Sequence, residues 1–152
     1  MKILFKTNDE IAPLILRVFL ATVMFPHGAQ KALGLFGGHG FSGTMHFFTQ
    51  EAHIPAALAF LVIATEFAGS IALFFGFLTR VVVFGMGAIM VEAIRTVHWQ
   101  NGFFMNWLGN QKGEGFEYHI LVLGIALALL IKGGGKWSID GMFCRKSAPA
   151  TK

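Results

Sequence analysis

The chain has 152 residues, 55% hydrophobic and 13% charged, with a formal net charge of +4 and a mean hydropathy of +0.63. Its 17 Phe and 19 Gly exceed globular usage, and the balance points away from a soluble domain towards an integral membrane protein. The single cysteine, Cys144, excludes an intrachain disulfide and argues against a dithiol-shuttle enzyme, while the positive charge flanks the apolar stretches and reads as topology and lipid contact, not nucleic-acid binding.

Lys2 and Lys6 precede the first apolar run, but Arg17 interrupts it and no convincing small-x-small cleavage site follows, so it is read as a retained span. It covers roughly residues 11–27. The second span covers residues 55–78, the third residues 80–98 and the fourth residues 117–131, followed by a basic cytoplasmic tail at residues 132–152. Phe77-Leu78-Thr79 leaves almost no connector, so spans two and three form a tight hairpin. The expected fold is all-α, an integral membrane four-helix bundle in one domain over residues 1–152.

Lys2, Lys6, Arg80, Lys132, Lys136, Arg145, Lys146 and Lys152 fall on one side of these spans, against Lys31 and Lys112, plus Arg95 near a helix end, on the other. This places both termini in the cytoplasm. Trp99, Trp107 and Tyr118 then mark the outer interface and Trp137 the inner one. His27, His39, His46, His53, His98 and His119 all gather in or beside the outer half. Ala68, Ala72 and Gly76 on span two, and Gly124 and Ala128 on span four, have the small-residue spacing that lets helix backbones approach.

Ionisable groups inside the spans are costly and usually pair or serve a site. Arg17 lies ten residues from His27, and Glu66 eleven from Pro55, which predicts a common level and a buried Arg17–Glu66 ion pair. That pair reads either as a structural clasp or as a proton or ligand site. Glu92 and Arg95 share a face three residues apart, and His98 continues it. With His27, Glu117 and His119 they form an expected outer layer. It reads either as solvated helix ends or as a pocket in which His27, Arg95, His98 and His119 bind a ligand and Glu92 and Glu117 relay protons. Glu117-Tyr118-His119 lacks helical ligand spacing, and neither HExxH nor a dense Cys/His run occurs, so no metal is expected.

Gly38-His39-Gly40-Phe41-Ser42-Gly43 spells GxGxxG, but it follows a membrane helix rather than a strand, so a tight re-entry loop is the better reading. The loop leads into a short interfacial helix over Thr44–His53, with Phe41, Met45, Phe48 and Ala52 on one face.

Several runs together carry a family resemblance. They are His27-Gly28-Ala29-Gln30-Lys31, Phe36-Gly37-Gly38-His39-Gly40, Gly43-Thr44, Glu66-Phe67-Ala68-Gly69, Leu78-Thr79-Arg80, Val97-His98, Asn101-Gly102-Phe103-Phe104 and Glu117-Tyr118. The closing segment Gly133-Gly134-Gly135-Lys136-Trp137-Ser138-Ile139-Asp140 completes them. In order over about residues 12–143, the sequence resembles the DoxX family. The resemblance implies a four-helix membrane protein. It also implies a link to thiosulfate:quinone oxidoreduction, oxidative stress or sulfur metabolism, without a catalytic residue set to carry over.

The leading functional expectation is a bacterial inner-membrane subunit of a redox system that binds a quinone or similar apolar ligand near the outer face. Phe-rich spans supply an apolar slot, and the polar layer supplies hydrogen bonds and protons. No flavin, haem or iron–sulfur motif is visible and no covalently bound cofactor is expected. Electrons would therefore come from a soluble or membrane redox partner, so enzyme status stays open. The alternatives are a small-solute transporter or channel, and a structural assembly subunit; a homo-oligomer is compatible with all three.

Overall fold

The computed structural model describes residues 5–146, with side chains through residue 144. Six α-helices follow in order: α1 (Ile11–Leu33), α2 (Gly40–His46), α3 (Ala56–Phe75), α4 (Thr79–Ala93), α5 (Glu117–Lys132) and α6 (Ile139–Lys146). A π turn, Phe47–Glu51, extends α2; a second, Ile94–His98, extends α4 and passes into a 3-10 turn at Trp99–Asn101. No strand occurs among the described residues.

α1 packs on α3, α3 on α4, α4 on α5, and α5 back on α1, so four helices close a ring. α1, α3 and α4 with its continuation to Asn101 are each long and apolar enough to cross a membrane. This is an all-α membrane protein. α5 is shorter, and its 16 residues rise about 24 Å. Leu20, Met24, Leu73, Met86, Met90, Val122 and Leu129 fill the core, while Phe19, Phe60, Phe84 and Leu121 point outward, as expected where lipid is the solvent.

One end carries the α3–α4 hairpin, here called the hairpin end. The other carries the α1–α2 connection and the segment 102–116, here called the loop end. Lys132 pairs with Glu10, and Arg80 donates to the Ile131 carbonyl, so these basic residues do share the hairpin end. Lys2 and Lys152, with the side chains of Arg145 and Lys146, lie outside the described residues.

Three expectations are corrected. First, α1, which contains Pro26, continues six residues past His27 to Leu33; a membrane helix tolerates an internal proline because neighbouring groups re-satisfy the freed carbonyl. This shifts the level at which α1 meets α3. Gly28 lies against Glu66 and Phe67, whereas Arg17 lies against Leu73, Phe74 and Gly76. The residues that meet Arg17 are thus seven to ten positions, about 10–15 Å, from Glu66, and the Arg17–Glu66 pair does not form. Second, Ala68 and Gly124 face outward, and the buried stripe of α3 is Ala59, Ile63, Glu66, Gly69, Ser70 and Leu73. Small-residue spacing marks a face without saying which way it turns. Third, the helix after the glycine loop starts at Gly40, not Thr44, and its π turn breaks the single apolar face expected over Thr44–His53.

The segment 133–144, expected as part of a basic tail, folds back onto the hairpin end. Arg17 reaches it from α1: its Nε donates to the Gly134 carbonyl at 2.8 Å and its Nη2 to the Trp137 carbonyl at 3.1 Å and that of Lys136 at 3.3 Å. Nη1 donates to the carbonyls of Leu73 and Phe74 at the end of α3. A guanidinium fork suits this cradle, since it directs donors both ways while the carbonyls disperse its charge. α3 stops at Gly76, whose φ of 67° ends the helix in the left-handed region.

The start of α4 has no cap from its own strand of chain. Asp140 supplies one from α6: Oδ1 accepts from the Leu78 amide at 2.8 Å and Oδ2 from the Thr79 amide at 2.9 Å. Ser138 caps α6 in turn, accepting from the Gly141 amide at 3.1 Å. Asp140→Ala is expected to cost about 0.5–2 kcal/mol, the range for lost helix caps. A thermal midpoint in detergent equal to that of the parent would refute the capping role.

Candidate functional site

Within the bundle towards the loop end lies a cluster of titratable side chains drawn from three helices and one turn. Its first element is set by backbone contact. Gly28 brings α1 onto α3 so closely that a Cβ there would stand 2.5 Å from the Glu66 carbonyl carbon and from the Phe67 Cα. His27 and Lys31, four residues apart on one side of α1, thus flank Glu66. Lys31 Nζ lies 2.6 Å from Glu66 Oε2, with the Glu66 side chain only 5% exposed and that of Lys31 26%. His27 is within electrostatic reach of both.

The first turn of α5 adds Tyr118 and His119. The Tyr118 ring lies 6.4 Å from that of His27, its hydroxyl faces Met24 Sδ at 3.7 Å, and it senses the Glu66 charge. His119 is 6% exposed, and its Nδ1 is buried without a hydrogen-bond partner among the described residues. Its ring centroid lies 4.1 Å from that of His98. His98 Nδ1 is 2.8 Å from the Glu114 carbonyl, which can only accept, so Nδ1 is the donor of that bond. A ladder results: Lys31 and Glu66, then His27 and Tyr118, then His119, then His98 beside the loop.

Of the expected layer, His27, His98 and His119 come together. Glu92 and Arg95 do not join them. Arg95 pairs with Glu92 through Nη2 to Oε1 at 2.6 Å and Nε to Oε2 at 3.0 Å, and the two side chains are 72% and 54% exposed on the outward face of α4. The cause is the π turn at Ile94–His98: its extra residue rotates His98 inward, away from the face shared by Glu92 and Arg95. Glu117 also points elsewhere. Its Oε1 accepts from the Met105 amide at 3.0 Å and from Trp107 Nε1 at 3.3 Å, which fastens the loop to the start of α5. Arg17 lies at the opposite, hairpin end.

Sequence reasoning missed Lys31 and Tyr118 as members of the cluster. Lys31 falls four residues after His27, beyond the end that apolarity gives the helix, and Tyr118 in sequence carries only the signature of an interface aromatic. Among the described residues, no group of three or more His, Cys, Asp or Glu is disposed to hold a metal ion.

Comparison with known proteins adds a family. The DoxX family profile matches residues 12–99, from α1 to the first residue of the 3-10 turn. The chain is 33% identical over 120 residues to a Bacillus subtilis protein named "Putative oxidoreductase CatD", covering 79% of each chain. It is 27% identical over 142 residues to "Inner membrane protein YqjF" of Escherichia coli, covering 93% of this chain and 98% of that one. No solved structure matches it significantly.

Proposed function

Because the chain belongs to the DoxX family, we propose that it is a redox-linked subunit of the bacterial inner membrane that binds a quinone-like ligand at the His98–His119 cluster. The observation that carries this reading is the buried, unpartnered Nδ1 of His119. Leaving such an atom unsatisfied costs about 1–3 kcal/mol, and a ligand oxygen that hydrogen-bonds it recovers that loss. The names of the two relatives, "Putative oxidoreductase CatD" and "Inner membrane protein YqjF", support the setting.

The chemistry follows from the ladder. A quinone takes up electrons and protons together to become a quinol. The protons pass from imidazole to imidazole, with Tyr118 and the Lys31–Glu66 pair as the inner reservoir and His98 as the contact with the loop. The electrons come from a partner redox protein. α5 serves as the fourth span, so both termini face the cytoplasm with the basic hairpin end, and the ladder opens to the outer face. A transport route is disfavoured by the packed layer of Leu20, Met24, Leu73, Met86 and Leu129 between the ladder and the Arg17 cradle.

The test is retention of quinone by the protein released in mild detergent, read by native mass spectrometry. The parent chain is expected to carry a quinone mass, and His119→Phe, which keeps an aromatic ring but loses Nδ1, is expected to lose it by about tenfold or more, the equivalent of ~1.4 kcal/mol. Equal retention by His119→Phe, or a bare parent beside a quinone-retaining control protein, overturns the assignment.

A further inference from the structure

The Glu92–Arg95 pair is out of place for a lone bundle in lipid. Trp99 marks the loop-end interface of α4, and Glu92 lies seven residues below it, about 10 Å into the membrane by helix rise. Both charged side chains point away from the bundle, more than half exposed. Charged side chains facing hydrocarbon are costly, so such residues turn towards protein. Beside them runs an outward groove of about 390 Å³ lined by Val91, Ile94, Arg95 and Trp99.

We infer that this face of α4 is where a second copy of the chain docks. The charge pattern selects that occupant. Glu92 and Arg95 stand three residues apart on one helix, so a two-fold axis running between two α4 helices sets Glu92 of each copy against Arg95 of the other. The same surface thus complements itself, and the in-helix pair becomes a four-charge ring shielded from lipid. An anionic lipid phosphate fits less well, because Glu92 already occupies the Arg95 fork with two hydrogen bonds and would repel a second anion. The groove flanking the charges gives each copy a slot for exposed apolar side chains of the other, Val91 and Trp99 being the most prominent.

Charge exchange tests this in membranes. With Cys144→Ser as background, Val91→Cys is expected to give an oxidised dimer, and Leu121→Cys, on the exposed face of α5, is not. Glu92→Arg alone and Arg95→Glu alone are each expected to lower the cross-linked dimer by about tenfold, corresponding to ~1.4 kcal/mol. Co-expression of a Glu92→Arg chain with an Arg95→Glu chain, differently tagged, is expected to restore cross-linking between the two tags. That rescue cannot arise from misfolding, and it does not depend on quinone binding. Dimer levels indifferent to either charge change, or a monomeric parent that carries a phospholipid lost on Arg95→Gln, would overturn the proposal.

Discussion

Arg17→Leu is expected to lower the unfolding free energy by about 3–5 kcal/mol, the range for removing one side of a buried charged network. The guanidinium is 2% exposed and donates to carbonyls of Gly134, Lys136 and Trp137 on one side and of Leu73 and Phe74 on the other. Leucine fills some of the volume but leaves those carbonyls without their donor, and Asp140, 1% exposed and within electrostatic reach, loses its nearby positive charge. The cradle joins α1, the end of α3 and the closing segment, so its loss loosens three elements together. Thermal unfolding in detergent measures it: at ~2–4 °C per kcal/mol the midpoint should fall by roughly 10 °C. Arg17→Lys should fall by less, since an ammonium keeps the charge but not the fork. An unchanged midpoint for Arg17→Leu would mean that the cradle contributes nothing to the fold.

Gly28→Val should be damaging in a different way. The new Cβ would meet main-chain atoms of Glu66 and Phe67 at 2.5 Å, and main chain cannot swing aside as a side chain can. α1 and α3 must separate, at a cost of about 1–3 kcal/mol or more for overpacking, and the Lys31–Glu66 pair opens with them. The expected result is a lower thermal midpoint together with loss of retained quinone, with Gly28→Ala intermediate. A Gly28→Val chain as stable as the parent would show that the helices do not approach at this point.

Arg17 and Glu66 stand out in sequence for the same reason, as charges inside apolar runs. Counting rise from the ends of the apolar runs placed them at one level. The error entered at the end of α1: apolarity fades after His27, but the helix continues to Leu33, and levels counted from the end of a run inherit that error. The shared face expected for Arg95 and His98 failed for a related reason. A face drawn at regular helical spacing is correct only while the helix is regular, and one π turn changes which way every later side chain points.

What the order of residues settled without help is the class of molecule. Runs of apolar residues of the right length, basic flanks and the hairpin at Phe77-Leu78-Thr79 require an all-α membrane protein, because a backbone in lipid must satisfy its hydrogen bonds within each helix. The same order drew His27, His98 and His119 into one layer, since all three lie near the loop end of their helices. The partner of each charge was decided by the packed structure. Lys31 rather than Arg17 neutralises Glu66, five carbonyls rather than a carboxylate hold Arg17, and Asp140 caps a helix that begins some sixty residues earlier. Pairing depends on helix offset and rotation, and these are set by close contacts such as Gly28 on Glu66, which a pattern along one chain does not contain.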